Sequence, residues 1–191
     1  MKRRAPDATI MIRSQLVVLT LFATGCSTST SSTLPAEPGP TSVSMRISEI
    51  QSDGAAVEVT RDVELADLKG EYYHGDGLGY NLHLKLMDRR AFECTWTGCL
   101  GKYGESSGNW TADESGLNLT TDTADGLVRD RPVGRLRVIS FQGHYLLVQE
   151  KDSGWFDEHG PDTFACFHRD EAREALSQDW RRRIERRVDE Q

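Results

Sequence analysis

The sequence contains no apolar run long enough to cross a membrane as a helix, which takes about 20 residues. It also lacks an excess of basic residues: 23 lysines and arginines stand against 30 aspartates and glutamates, which gives a net charge of −7. Residues 1–25 hold four of the basic residues and one acidic residue, so the rest is more acidic still. Because contacts to phosphate need a basic surface, the composition predicts no nucleic-acid partner.

Several catalytic motifs are missing as well. The sequence has no G-x-S-x-G nucleophile elbow, no H-E-x-x-H, no phosphate-binding loop, no dinucleotide fingerprint and no C-x-x-C pair. We therefore predict neither an enzyme nor a bound cofactor. Catalysis by groups assembled from distant strands stays open as an alternative, because such groups leave no local motif.

The one apolar run is the stretch LVVLTLFATGC, which ends at Cys26. It is too short for a membrane helix but has the length of a signal-peptide core. The small residues Ala23, Thr24 and Gly25 close it directly before Cys26. This pattern resembles the lipobox of bacterial lipoproteins. The resemblance implies cleavage between Gly25 and Cys26 and attachment of a lipid to the Cys26 thiol; a non-lipidated secretory signal and a buried strand are the alternatives.

The lipobox resemblance also divides the front of the chain. Residues 1–25 are predicted to be a signal peptide, with translation starting at Met1 or at Met11. Residues 26–44 are predicted to be the lipidated cysteine and a flexible tether rich in serine, threonine and proline. Ser27 after the cysteine implies, in a Gram-negative cell, export to the outer membrane. We expect the cell envelope as location and the membrane as partner, through the lipid on Cys26.

Residues 45–169 are predicted to form an antiparallel β domain. In Tyr80 to Met87, Leu82, Leu84 and Leu86 alternate with polar residues, a period of two that fits a strand with one buried face. Short strands of this kind separated by glycine and aspartate turns are typical of an antiparallel barrel or sandwich. The other predicted strands are 43–47, 57–59, 70–74, 91–96, 109–112, 117–120, 135–140, 144–149 and 163–168.

Two phrases add a family resemblance. Leu68-Lys69-Gly70-Glu71-Tyr72, and Gly108-Asn109-Trp110 followed by Leu117-Asn118-Leu119, resemble the L-x-G-x-aromatic and G-x-W…L-x-L phrases of lipocalin-like small β-barrels. The resemblance implies that glycine bends the backbone at the barrel bottom while the aromatic ring closes that end. Lipocalins bind small apolar ligands, but small barrels often fill their interior with side chains. Gly75 to Asn81 and Gly98 to Gly104 are similar to secreted bacterial β domains of no known activity.

Residues 170–191 are predicted to form an amphipathic helix that packs on the β domain. Asp170 can cap its start, and apolar residues recur every four positions along one stripe. The members of the stripe are Ala172, Leu176, Trp180, Ile184 and Val188. The predicted fold class is therefore all-β, lipocalin-like, with one C-terminal α-helix.

Three cysteines remain once Cys26 is lipidated. Cys94, Cys99 and Cys166 allow one disulfide and one free thiol in an oxidising compartment. Cys94 and Cys166 lie on the apolar faces of predicted strands and could meet across the core, whereas Cys94 and Cys99 could close a small loop. The spacing alone does not choose between these pairings.

The histidines give only a weak metal hypothesis. His74 and Asp76 flank a glycine-rich turn, and His83 could face His74 across the hairpin. Because the spacing is unspecific, we predict no metal and keep these three as weak candidates. In Lys151 to Asp162, Trp155 and Phe156 are expected to enter the core or, alternatively, to rim a binding surface.

Together these features predict a lipid-anchored envelope protein that acts as a non-catalytic binding or structural module for a small ligand or an envelope protein. An accessible apolar cavity would favour the small ligand. The first alternative is a hydrolase of envelope polymers, which requires two carboxylates or a histidine and a carboxylate in one cleft. The second is an inhibitor of a hydrolase such as lysozyme, which requires a protruding loop, with Lys151 to Asp162 as the first candidate.

Overall fold

The computed structural model describes residues 40–51, 54–162 and 164–189. The predicted signal peptide, the cleavage site at Gly25 and Cys26, and residues 27–39 of the tether lie outside these residues. Within the described part of the chain, the helices are too short or too polar to cross a membrane.

Nine strands form one sheet among the described residues, and four α-helices accompany it. The all-β fold with a C-terminal helix is thus confirmed. The strands are β1 (Ser42–Ile50), β2 (Ala56–Glu64), β3 (Gly70–Gly75), β4 (Asn81–Leu86), β5 (Ala91–Gly98), β6 (Gly101–Asp113), β7 (Gly116–Ala124), β8 (Arg135–Phe141) and β9 (His144–Gln149). The helices are α1 (Leu65–Leu68), α2 (Gly126–Asp130), α3 (Ser153–His159) and α4 (Asp170–Asp189).

The strand order is β2-β1-β8-β7-β6-β5-β4-β3, and β9 pairs with β8. All neighbours are antiparallel except β1 and β8, which are parallel. The sheet curves without closing into a continuous ladder. Instead, Phe167 bridges to Leu147 of β9 and His168 bridges to Tyr73 of β3, so single bridges link the two sides. The strand predicted at 163–168 is reduced to these two bridges.

The concave side of the sheet holds a core of closely packed apolar side chains. Tyr72, Phe92 and Trp110 are at most 2% exposed and occupy its centre. The remaining buried members include Met45, Ile47, Leu68, Leu82, Leu84, Leu86, Cys94, Leu117, Leu136, Val138, Leu147 and Phe167. The interior of this barrel-like sheet is therefore filled by the protein's own side chains, as is common in small closed barrels.

A second core lies on the other face of β8 and β9, where α3 and α4 cover the sheet. Ala172 and Leu176 of the predicted helix stripe are fully buried there, and Trp180 is half-buried. The predicted packing of the helix on the sheet is confirmed for these turns; the side chains of Ile184 and Val188 are not described. The helix begins at Asp170 itself.

The predicted tether extends to Ser44, but β1 already begins at Ser42, which pairs with Glu64 of β2. Backbone hydrogen bonds to β2 extend the strand into a stretch whose composition resembles a linker.

The segment Lys151 to Asp162 is not a protruding loop, because residues 153–159 form α3 and Phe156 is 2% exposed in the second core. Its neighbour Trp155 is 42% exposed, so only one of the two aromatics is buried.

The predicted disulfide is not formed, because Cys94, Cys99 and Cys166 are all free thiols. Cys94 belongs to the core inside the sheet and Cys166 to the second core, on opposite sides of the backbone layer. Cys99 lies exposed in the turn between β5 and β6. Burial raises the pKa of the Cys94 thiol to about 12 and also raises that of the Cys166 thiol, so both are poor nucleophiles.

Candidate functional site

The weak metal candidates do not converge. In the register of β3 and β4, His74 pairs with Leu82 and His83 pairs with Tyr73, so the two histidines project from opposite faces. His74 is buried, whereas His83 is exposed. The described residues contain no group of three side chains able to hold a metal ion.

His74 and Asp76 each have a structural task instead. The Nε2 atom of His74 lies 2.9 Å from the carbonyl oxygen of Phe164 and ties the end of β3 to the segment before α4. The Asp76 carboxylate accepts hydrogen bonds from the backbone N–H groups of Leu78, Gly79 and Tyr80. These bonds lower the pKa of Asp76 and fix the turn between β3 and β4.

A polar concavity lies on the convex face of β3, β4 and β5, beside the start of α4. We call it the outer groove; its volume is about 940 Å³. Strand alternation places one set of side chains in the core and the other in this groove. The groove is lined by Lys69, Gly70, Glu71, Tyr72, Tyr73, His83, Leu84, Lys85, Glu93, Thr95, His168, Arg169, Asp170, Glu171 and Arg173.

A row of alternating charges crosses the floor of the outer groove. Lys85 of β4 lies between Glu71 of β3 and Glu93 of β5 in the sheet register. Its Nζ atom donates a hydrogen bond of 2.8 Å to the Glu71 carboxylate. This ion pair lowers the pKa of Glu71 and raises that of Lys85. Glu93 lies on the other side of Lys85 in the same row.

Aromatic side chains form a second row in the groove, next to the row of charges. The Tyr73 ring lies between two imidazoles, with centroid distances of 5.3 Å to His83 and 5.7 Å to His168. Its hydroxyl donates to Asn81 Oδ1 at 2.5 Å and accepts from the backbone N–H of Gly77 at 3.0 Å. The Tyr73 ring is therefore held in place before any ligand arrives.

His168 borders the outer groove but is almost completely buried. It is 1% exposed, and its Nε2 atom has no hydrogen-bond partner. Its Nδ1 atom lies 3.4 Å from the carbonyl oxygen of Cys166. Because Nε2 is sealed from solvent, His168 contributes to the groove through its contact with the Tyr73 ring and not as an exposed hydrogen-bonding group.

Arg169 connects the start of α4, which borders the outer groove, to the segment just before β3. Its guanidinium donates to the carbonyl oxygens of Asp67 and Lys69 at 2.5 Å and to the Tyr72 hydroxyl at 3.0 Å. It also lies over the Tyr72 ring, 5.0 Å from the centroid. Arg169 is thus engaged with the barrel-like sheet and holds the start of α4 beside β3.

The groove can bind polar ligands by hydrogen bonds and charge pairs of both signs. Carboxylates of Glu71 and Glu93 and the imidazole of His83 line the same concavity, and His83 Nε2 lies 3.5 Å from Thr97 Oγ1. A carboxylate and an imidazole in one cleft are the minimum for acid–base chemistry. Among the described residues, however, no serine or cysteine lines this groove as a nucleophile.

Comparison with protein-family models found no match, and comparisons with curated proteins and with solved structures found none either.

Sequence reasoning missed the groove because its parts are far apart in the chain. Tyr73 and His168 are in contact although 94 other residues separate them in the sequence. Strand alternation assigns His83 and Lys85 to a polar face but does not show that α4 begins beside it. The only local signal was the alternation in β3, which places Tyr73 opposite Tyr72.

Buried histidines predict a pH dependence of stability. Burial lowers the pKa of His74 and of His168 below the ordinary value of 6.5. The unfolded chain therefore binds more protons than the folded one below about pH 6.5, and the free energy of unfolding is expected to fall with decreasing pH. The slope is at most about 1.4 kcal/mol per pH unit for each histidine. Urea unfolding between pH 8 and pH 5 measures it.

The variant His74→Gln isolates one of these contributions. It is expected to flatten the slope below pH 6.5 whatever it does to stability at pH 8, where both histidines are neutral. An unchanged slope would mean that His74 does not contribute to the acid sensitivity.

Proposed function

We propose that this protein is a lipid-anchored bacterial envelope lipoprotein that acts as a non-catalytic binding module through its outer groove. The lipid on Cys26 would hold it at the membrane, and residues 27–41 would give the domain reach. The ligand would be a polar molecule or a segment of an envelope protein, bound on the outside of the sheet. The proposed location is the outer membrane, facing the periplasm or the cell surface.

One observation carries the choice of the groove. The interior of the barrel-like sheet is filled by Tyr72, Phe92, Trp110 and the apolar residues around them, while the convex face keeps an open polar groove. A small apolar ligand inside the barrel would have to displace close-packed side chains, at a large cost in free energy. Surface contact is therefore the favoured mode of binding.

The lining of the groove indicates the chemistry of that contact. Glu71, Lys85 and Glu93 alternate in charge, so a ligand of one strong charge sign gains little. Tyr73 offers an aromatic ring that hydrogen bonds hold in place, and His83 offers an exposed imidazole. These groups suit a neutral or zwitterionic ligand with several hydrogen-bonding groups.

An envelope-polymer hydrolase is the second candidate, because His83 lies in the same groove as four carboxylates, those of Glu71, Glu93, Asp170 and Glu171. It would require turnover that the variant His83→Ala abolishes. The inhibitor hypothesis loses its first candidate loop, since residues 153–159 are helical and Phe156 packs in the second core.

Site-specific crosslinking in cells tests the binding proposal. A photoreactive amino acid at Thr95, which lines the groove, is expected to yield defined crosslinked adducts in the membrane fraction. The matched control is the same substitution at Thr121, an exposed threonine on β7. Adducts at position 95 alone support the groove; equal adducts at both positions, or none at 95, contradict it.

A further inference from the structure

One end of the sheet exposes large apolar side chains, and we call it the apolar end. It is the end where β3 turns into β4 and β5 turns into β6, and where α2 and the segment before α4 also lie. The side chains are Leu78 (74% exposed), Leu100 (87%), Phe164 (55%) and Leu127 (46%).

Short contacts place these segments together. A Cβ atom on Gly98 would lie 2.7 Å from the carbonyl oxygen of Gly79, so the two hairpin turns touch. One on Gly104 would lie 3.0 Å from the backbone nitrogen of Leu127, which brings α2 to the start of β6. The carbonyl oxygen of Phe164 contacts His74 near the end of β3. The four exposed side chains therefore share one end of the domain.

The two hairpin tips have the same construction. They read Gly77-Leu78-Gly79 and Cys99-Leu100-Gly101, with a leucine next to glycine and no charged residue in the triplet. Positive φ angles of +74° at Gly77 and +106° at Gly101 turn the backbone at each tip. An added Cβ atom at Gly77, Gly79 or Gly101 would meet no atom within 4 Å, so the tips project from the domain.

We propose that the apolar end inserts its leucines into the surface of a lipid bilayer. This inference rests on the membrane anchoring proposed above, which would keep the domain next to that surface at high effective concentration. Projecting tips suit a fluid medium that closes around them. Four separate side chains fall short of the roughly 800 Å² per partner that a stable protein interface buries, so a second copy is a poorer occupant.

The chain between Cys26 and the sheet is long enough for this orientation. Arg90 Nη2 contacts the carbonyl oxygen of Pro40 at 3.4 Å, so the chain enters the domain at the β4–β5 turn, opposite the apolar end. The eight residues of β5 span about 26 Å along the strand. The thirteen residues between Cys26 and Pro40 can reach about 45 Å, which exceeds that distance.

Cys99 supplies a natural probe of the apolar end. It is exposed next to Leu100, whereas Cys94 and Cys166 are buried, and lipid would occupy the Cys26 thiol. An environment-sensitive dye on Cys99 of the full-length lipidated protein, in phosphatidylcholine vesicles, is expected to emit at shorter wavelength and to lose its access to an aqueous quencher. The double variant Leu78→Ser/Leu100→Ser is expected to abolish both changes.

Matched controls separate insertion of the apolar end from membrane binding through the lipid on Cys26. Val57→Ser removes an exposed apolar side chain on β2 and is expected to leave the dye signal unchanged. In a Cys26→Ser protein, which has no lipid, the same dye on Cys99 is expected to shift only at higher vesicle concentration. The serine pair should weaken that binding at least about tenfold, as expected for the lost burial of leucine side chains.

The other possible outcomes overturn either the insertion of the apolar end or the lipid anchor. A dye that stays in water while the lipidated protein floats with the vesicles overturns the insertion of the apolar end and leaves the anchor intact. A shift that appears without vesicles at high protein concentration means that a second copy covers this end, and it also overturns the proposal. Absence of fatty acid on Cys26, by mass spectrometry, refutes the anchor alone, because the Cys26→Ser protein still tests the tips.

Discussion

Replacing Cys26 by alanine is expected to release the protein from its lipid anchor completely. The Cys26 thiol is the acceptor of the lipid that the lipobox resemblance implies, and alanine offers no nucleophile. Each buried methylene of an acyl chain contributes about 0.8 kcal/mol to membrane binding, so losing two or three chains removes far more affinity than any surface contact restores. Mass spectrometry of the mature N-terminus and fractionation after an alkaline wash measure the effect.

The matched control is Cys99→Ala. Cys99 is an exposed cysteine of the described domain and lies in the turn between β5 and β6. This variant is expected to keep its fatty acid and its place in the membrane fraction. If the Cys26→Ala protein were processed and retained like the wild type, the proposed anchor would have to be abandoned, and with it the assigned location.

Replacing Trp110 by alanine is expected to lower the free energy of unfolding by about 3–5 kcal/mol. Trp110 is 1% exposed in the core of the sheet, and its indole N–H donates to the carbonyl oxygen of Met87 at 3.3 Å. The Arg90 guanidinium covers the ring at 5.6 Å from its centroid. Removal of the ring would leave a cavity and an unpaired carbonyl, a large fraction of the 5–15 kcal/mol typical of small domains.

Trp155→Ala provides the comparison for this loss. Trp155 is 42% exposed and stacks on His159 at a centroid distance of 4.4 Å. Its removal is expected to cost clearly less than removal of Trp110, because 42% of the side chain stays exposed to water in the folded protein. Denaturant unfolding followed by far-UV circular dichroism compares both variants. Equal losses would show that Trp110 does not hold the sheet together.

Most of the fold could be predicted from local pattern. The alternation in residues 80–87 predicted β4 to within a residue or two at each end, and the four-residue spacing of Ala172 and Leu176 predicted the buried stripe of α4. Trp110, singled out by its G-x-W phrase, is buried. These predictions hold because strand and helix periods reflect only which face of one element is buried.

Whether two residues on different strands meet could not be predicted, for the opposite reason. Cys94 and Cys166 both lie on apolar faces, yet they belong to different cores on the two sides of the sheet. His74 and His83 are close in sequence, but an odd offset in the hairpin register sends them to opposite faces. Sequence spacing specifies neither the layer into which a strand face packs nor the register of pairing.

The sequence by itself determined the strand character of the domain, its C-terminal helix, and the lipid-anchor hypothesis that depends on Cys26. Only the tertiary structure decided that the interior is filled and that Tyr73, His83 and His168 line one outer groove. The physical reason is that alternation records burial along each strand, whereas a groove arises where α4 meets strands that lie far from it in the chain. Such a meeting depends on the packing of the whole chain, because contacts between distant segments leave no local signal.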